Sequence, residues 1–219
     1  LDRLARSDDD GEFHVHEYGQ AVMDVKRILV TGATGFLGSR TVEYLAKMED
    51  VCVMATGRTM KPHNEVKASN VTYSLGDLAD AEMVDRLVQG VDAIVHAAAL
   101  SSPWGREGAF WNANVEPTRL LLEAAARHGV KRFVFVSTPS MYFEMKPQLG
   151  ITEDHPLPRP INQYAASKRE AERLVTSSKI PHAVTKGLNS LDESECLSIT
   201  SFNRSIAFFF SPFENSFLA

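Results

Sequence analysis

Thr31-Gly32-Ala33-Thr34-Gly35-Phe36-Leu37-Gly38 directly follows the apolar run Ile28-Leu29-Val30 and opens an amphipathic segment at 39–48. A glycine-rich run between a strand and a helix has the form of a dinucleotide-binding turn. Gly32 permits a tight turn, Gly35 lets the backbone approach a pyrophosphate, and Gly38 lets helix and strand pack closely. The helix N-terminus then offers N–H groups and a partial positive charge to the phosphates. The candidate cofactor contacts in this run are Gly32, Thr34, Gly35, Phe36, Leu37 and Gly38.

Outward from this turn, strand and helix signals alternate. Strands are predicted at 27–31, 51–56, 71–75, 92–96 and 132–137, and helices at 36–48, 79–89, 110–128 and 163–178. Unbroken apolar strands such as Ala93-Ile94-Val95 and Phe133-Val134-Phe135-Val136 suit a parallel sheet covered on both faces. Gly90 and Gly129 follow helix ends, where a left-handed cap residue belongs. The alternation predicts an α/β fold, a doubly wound Rossmann-like parallel sheet, over residues 25–185. Residues 1–24 are acidic and aperiodic and read as a flexible tail. Residues 186–219 form a Ser- and Phe-rich tail, including Phe208-Phe209-Phe210, with neither helical nor strand period.

A chain of 219 residues can build one sizeable core, and a formal charge of −5 argues against a nucleic-acid surface. No apolar run is long enough to span a bilayer, so no membrane partner is expected. The first twenty residues lack the apolar stretch of a secretory signal, and the absence of Met at position 1 reads as a fragment or a processed start. Cys52 and Cys196 form no disulfide framework; Cys52 falls in a predicted buried strand and reads as a small hydrophobe. A reducing, cytoplasmic setting follows. His14 and His16 stand without further ligands, and no metal site is expected.

Tyr164 and Lys168 lie four apart in a predicted helix, so both side chains leave one face. An ammonium beside a phenol favours the phenolate, bringing a group that ordinarily titrates near ~10 towards use as a base at neutral pH. The plainer reading is a surface tyrosine and a surface lysine. Cofactor choice is written at the end of the second strand, where NAD-binding folds place a carboxylate on the ribose hydroxyls. Thr56-Gly57-Arg58 has none there, and Arg58 can pair with a 2′-phosphate, so NADP is expected, with NAD possible.

Five ordered stations together resemble the extended short-chain dehydrogenase/reductases, the group of NAD-dependent epimerase/dehydratases and 3β-hydroxysteroid dehydrogenase-like enzymes. They are the glycine turn, Gly76-Asp77-Leu78, His96-Ala97-Ala98-Ala99, Val136-Ser137-Thr138 with Met141-Tyr142, and Tyr164-Ala165-Ala166-Ser167-Lys168. The resemblance covers roughly 26–178. It implies a strand order 3-2-1-4-5-6-7, with the active site at the carboxyl ends of strands four and five. Tyr164 would exchange the proton of a substrate hydroxyl or carbonyl, Lys168 would tune it and hold the nicotinamide ribose, and Thr138 would orient the oxygen, with Ser137 and Ser140 as substitutes. Asp77 and Leu78 would reach the adenine, and Ala97, Ala98 and Ala99 would keep the backbone slim beside the cofactor. Asp77 also reads as a helix N-cap, and the alanines as tight packing.

The resemblance implies hydride transfer on a small molecule with a secondary hydroxyl or carbonyl, closest to the 3β-hydroxysteroid group. The alternatives are a nucleotide-sugar epimerase or dehydratase, and a non-catalytic NAD(P)-binding module. A homodimer through the helices at 110–128 and 163–178 is also implied. Two departures stand out. Pro117 replaces the glycine of the family's N-V-x-G-T after Asn114-Val115, where a proline would kink a helix. After Val184 the chain leaves the pattern and lacks most of a C-terminal substrate lobe, which would expose an apolar strand at 132–137 unless Ile180–Thr185 supplies a stub. Trp104, in the loop after the fourth strand, either stacks on a ligand or covers the sheet end.

Overall fold

The computed structural model describes residues 25–102, 104–144 and 155–186; the two expected tails (save Lys186), His14, His16 and Cys196 lie outside them. Six strands form one sheet in the order β3-β2-β1-β4-β5-β6. They are β1 (Arg27–Thr31), β2 (Cys52–Thr56), β3 (Val71–Tyr73), β4 (Ala93–His96), β5 (Arg132–Val136) and β6 (His182–Thr185). Every neighbouring pair is parallel. The helices are α1 (Phe36–Leu45), α2 (Ala81–Val88), α3 (Glu107–Phe110), α4 (Glu116–His128) and α5 (Gln163–Thr176).

The apolar strands divide their side chains between two cores with period two. Ile28, Val30, Ala93, Val95 and Val134 pack with Val42 and Leu45 of α1. Leu29, Ile94, Phe133 and Phe135 pack on the other face with residues of α2, α4 and α5. Each such fully buried side chain contributes roughly 1.5–3 kcal/mol by leaving water. Because the strand order turns back between β1 and β4, the turns after these two strands border one crevice.

The sixth strand is present. β6 pairs along β5 from Phe133↔His182 to Val136↔Thr185, so the apolar edge expected to stand open is covered for the length of β5's last four residues. Cys52 corrects an expectation: it is exposed, because it is the first residue of β2 and sits at the rim of the sheet opposite the exposed Arg27. The predicted helix from residue 79 begins at Ala81, with Asp80 accepting from the Glu82 and Met83 amides at 3.0 and 3.2 Å. Asp77 is therefore not its N-cap; its Oδ1 accepts from Ala79 N–H in the preceding turn.

The continuous helix predicted over 110–128 is three pieces: α3, a π-helical turn at Trp111–Val115, and α4. Pro117 falls in the first turn of α4, directly after the π turn, so its missing N–H comes at an irregularity and not within a regular α-helix. Gly129 caps α4 in the left-handed conformation, with φ 69°, and Gly90 after α2 has φ 71°.

Candidate functional site

Gly32 leaves β1 with φ 67°, a conformation that favours glycine. A Cβ there would lie 2.7 Å from the Ala98 nitrogen, so the turn rests on the Ala97–Ala98 backbone after β4. A Cβ on Gly38 would lie 2.1 Å from the Gly32 carbonyl oxygen, which seats α1 on the turn. Gly35 is freer: its Cβ would meet only the Gly32 oxygen, at 3.2 Å. Gly35 caps α1 without a side-chain hydrogen bond, leaving its first amides available to an anion. Phe36 is exposed, and Leu37 is half-buried beside it.

The end of β2 and the loop after it hold this turn at three points. The Ala33 amide donates to the Thr56 carbonyl at 2.9 Å, and Gly57 lies against the Thr34 side chain. Asn64 Nδ2 donates to the Thr34 carbonyl at 2.8 Å from the loop after β2. Arg58 follows Gly57 and is exposed at the crevice side of β2. Asp77 is exposed, whereas Leu78 turns its side chain into the core, leaving only its backbone for a ligand. Ala97 and Ala98 are half-buried and Ala99 is exposed, as a slim strip beside the turn.

His96 ends β4 fully buried between Thr31 Oγ1 at 2.7 Å and Thr118 Oγ1 at 3.0 Å. Burial, helped by the Lys168 charge, drives its imidazole down to about 3, so it is neutral. Asn114, in the π turn, is also buried: its Oδ1 accepts from Leu100 N–H at 2.7 Å, and its Nδ2 donates to Leu100 O at 3.2 Å and to Ser167 Oγ at 2.9 Å.

The third cluster forms where α5 crosses the end of β5. Asn162 caps α5 by accepting from the Ala165 amide at 2.8 Å. Lys168 is fully buried; its Nζ donates to the Val136 carbonyl at 2.6 Å and sits 3.9 Å from the centroid of the Phe135 ring. Burial lowers its ammonium to about 7, against the opposing pull of Glu172. Tyr164, one turn earlier, is half-buried with its ring 6.4 Å from that of Phe110. Thr138 is 5% exposed and donates to Ser140 Oγ at 3.0 Å while accepting from the Ser140 amide. Ser137 is committed elsewhere, donating to Glu172 Oε2 at 2.5 Å, so of the two substitutes for Thr138 only Ser140 shares its turn.

A cleft of about 450 Å³ opens beside the first turn of α5, walled by Trp104, Phe110, Arg159, Ile161 and Ala166. Trp104 is 84% exposed, so it lines this cleft and does not cover the sheet end.

The structure thus gathers the glycine turn and the Ala97–Ala99 strip at one crevice, and ties Lys168 to the strand end that precedes Thr138. The roles of Asn64, Glu172, His96 and Asn114 are not evident in the sequence; only Asn114-Val115 carries a local signal, because the other contacts join distant parts of the chain. Among the described residues no helix is long and apolar enough to cross a membrane, and no group of three or more His, Cys, Asp or Glu is placed to hold a metal.

A glycine turn at the switch point of a parallel sheet with helices on both faces defines a dinucleotide-binding α/β domain of the Rossmann type. More particularly, the chain belongs to the NAD dependent epimerase/dehydratase family, whose model matches residues 28–183. It is 34% identical over 151 residues to the uncharacterized protein YbjS of Escherichia coli (strain K12), covering 68% of this chain and 44% of that protein. It is 35% identical over 160 residues to the 4-hydroxy-2-methyl-3-oxo-4-farnesyl-3,4-dihydroquinoline-1-oxide ketoreductase of Stigmatella aurantiaca, covering 73% and 48%. Among solved structures it resembles DesIV, a dTDP-glucose 4,6-dehydratase from Streptomyces venezuelae with NAD and TYD bound. The TM-score is 0.65 at 31% identity, over 73% of this chain and 55% of that one. The chain therefore spans about half the length of the curated relatives it matches.

Proposed function

We propose that the chain carries the cofactor-binding and acid/base half of an NAD(P)-dependent oxidoreductase acting at a hydroxyl or carbonyl carbon. The observation that carries this reading is the buried Lys168 ammonium, one helical turn from Tyr164. An ammonium has three donors, and among the described residues Lys168 bonds only the Val136 carbonyl. The remaining donors suit the ribose diol of a nicotinamide nucleotide. A buried ammonium with donors to spare, beside a tyrosine one turn away, is the arrangement such a site needs.

The nicotinamide, when bound, supplies or accepts the hydride. Tyr164 takes the proton from the substrate hydroxyl during oxidation, or returns it to the carbonyl oxygen during reduction. Lys168 favours the phenolate, and Thr138 donates to the substrate oxygen once its one proton turns from Ser140 Oγ to the ligand. Gly32, Thr34, Gly35, Phe36, Leu37 and Gly38 hold the pyrophosphate side, and Asp77, the Leu78 backbone and Ala97–Ala99 border the adenosine and nicotinamide. Arg58, with no carboxylate beside it in Thr56-Gly57-Arg58, favours NADP over NAD.

A reductase or dehydrogenase of the 3β-hydroxysteroid type fits better than a dehydratase. Removing water needs an acid and a base besides Tyr164, and the turn Thr138-Pro139-Ser140-Met141-Tyr142 contributes no carboxylate. The Trp104, Phe110 and Ile161 walls of the cleft also suit an apolar substrate body. The second reading is a nucleotide-sugar enzyme, favoured by the likeness to DesIV; a non-catalytic NAD(P)-binding module is the third. We place the domain at 25–185 between two tails, in the cytoplasm, with α4 and α5 available for a homodimer.

Thermal melts with NADPH, with NADH and with neither test the cofactor. A ligand at 100 times its Kd stabilises the native state by about 2.7 kcal/mol, and no upward shift with either nucleotide overturns the reading. Tyr164→Phe then separates catalysis from binding. Affinity should hold within about twofold while turnover of a ketone panel falls by roughly 10²–10⁴. Unchanged turnover removes Tyr164 from its role.

A further inference from the structure

We propose that His96 is a positioning residue that couples the dinucleotide turn to the helix of Tyr164 and Lys168, locked in one tautomer by a hydrogen-bond chain of fixed direction. The inference rests on the reading that these two places hold the cofactor and do the chemistry.

The direction follows from the far end of the chain. Thr118 has one hydroxyl proton and donates it to the Asn114 carbonyl at 2.7 Å. It can therefore only accept from His96, which requires the proton on Nε2. A neutral imidazole protonated on Nε2 leaves Nδ1 as an acceptor, so the Thr31 hydroxyl donates to it. The Thr31 oxygen in turn accepts from the Ala98 amide at 3.3 Å. The chain thus runs from Ala98 N–H through Thr31, His96 and Thr118 to Asn114 C=O. Both ends are backbone groups with no choice of role, so its polarity cannot reverse.

Each end reaches a functional element. Ala98 is the residue on which Gly32 rests, and Thr31 is the last residue of β1 before the turn. Asn114 grips Leu100 with both ends of its amide and donates to Ser167, the neighbour of Lys168. The ring is clasped by Phe133 and Phe135, at 6.1 and 5.7 Å between centroids, so it cannot swing to other partners. A hydrophobic residue of similar volume would fill the space and leave the two threonines unjoined.

The experiment compares ADP, which occupies only the turn, with NADH, which also reaches Lys168. Affinities are measured for the full chain and for Thr118→Val and His96→Asn. The valine is isosteric and preserves packing; the asparagine amide keeps an acceptor for Thr31 but loses the reach to Thr118. The expected result is that both variants weaken NADH about tenfold, the size of one buried hydrogen bond, while ADP stays within about twofold. The double variant should equal the single ones, because each breaks the same link. Nitrogen-15 spectra should show a buried neutral histidine protonated on Nε2, absent from His96→Asn.

Parallel weakening of ADP and NADH, no weakening of either, or a proton on Nδ1 overturns the coupling while leaving the cofactor site intact. A wild-type chain that binds neither nucleotide overturns the cofactor reading, and the coupling with it. Should His96→Asn fail to fold, Thr118→Val and the spectra decide alone.

Discussion

Glu172 Oε1 lies 2.9 Å from Lys186 Nζ, and both side chains are nearly buried, at 14% and 12% exposure. The pair joins α5, one turn beyond Lys168, to the residue that follows β6. The Lys186 ammonium also donates to Tyr142 OH at 2.8 Å, and Ser137 completes the carboxylate. Burial works against the charge on Lys186, yet the hydrogen bonds of Tyr142 and Glu172 prevail and raise it.

Lys186→Met should cost about 2 kcal/mol, somewhat less than the ~3–5 kcal/mol of breaking a fully buried pair, because a carboxylate is left facing an apolar stem. Lys186→Met combined with Glu172→Leu should recover part of the loss. Urea unfolding, compared at equal m, measures both. A loss below about 0.5 kcal/mol for the single variant would show that desolvation cancels the attraction of the pair.

Lys168 titrates at about 7 in the fold against an ordinary 10.5, so between those values the unfolded chain holds the extra proton. Stability of the unliganded chain should therefore rise with pH from about 7 to about 10.5, by at most ~1.4 kcal/mol per unit from this one group. Lys168→Met should flatten that rise and weaken NADPH. An unchanged slope in the variant would mean the buried ammonium is not its source.

Gly35 and Gly38 separate folding from binding. Gly35→Ala has φ −92° and a single tight neighbour, so the unliganded melt should change by about 1 kcal/mol or less while nucleotide affinity falls. Gly38→Ala drives a methyl into the Gly32 carbonyl and should cost about 1–3 kcal/mol or more before any ligand is added. Calorimetry with and without NADPH checks both; equal effects on the unliganded melt would contradict the division.

Arg58→Ala should weaken NADPH by about tenfold, the lower end for a charged hydrogen bond at an exposed site, and leave NADH within about twofold. Fluorescence titration of the two reduced nucleotides measures this. A matching loss for both would place Arg58 on a phosphate that the two share.

Much of this was legible in the chain. The glycine turn could be read because each glycine answers a backbone requirement at fixed spacing, and Gly32 and Gly38 do meet backbone where a Cβ would go. The centre of the sheet could be read because β1, β4 and β5 are apolar on both faces. Cys52 misled because strand identity says nothing of the rim, where the first residue of a buried strand meets water. Asp77 misled because Asp80, three residues further on and directly ahead of Ala81, takes the capping position. The ties among Ser137, Glu172 and Lys186 join residues 35 and 14 positions apart and carry no local pattern. Pro117 announced an irregularity without saying which.

That irregularity makes the placement of Asn114 a matter of counting. A π turn holds one residue more than an α turn, and each residue advances a helix by about 100°. Deleting one residue between 111 and 115 would remove the π turn and set Pro117 inside a continuous helix, where its missing N–H costs about 3 kcal/mol. The flanking segments would keep their faces, because the turn absorbs its extra residue locally, but Asn114 would shift within it by about 100° and leave Leu100 and Ser167. Substitution of its neighbours can only weaken the grip of that amide, whereas a change in chain length abolishes it in one step. The spacing between Trp111 and Pro117 is for that reason an all-or-none determinant of whether the loop after β4 is tied to α5.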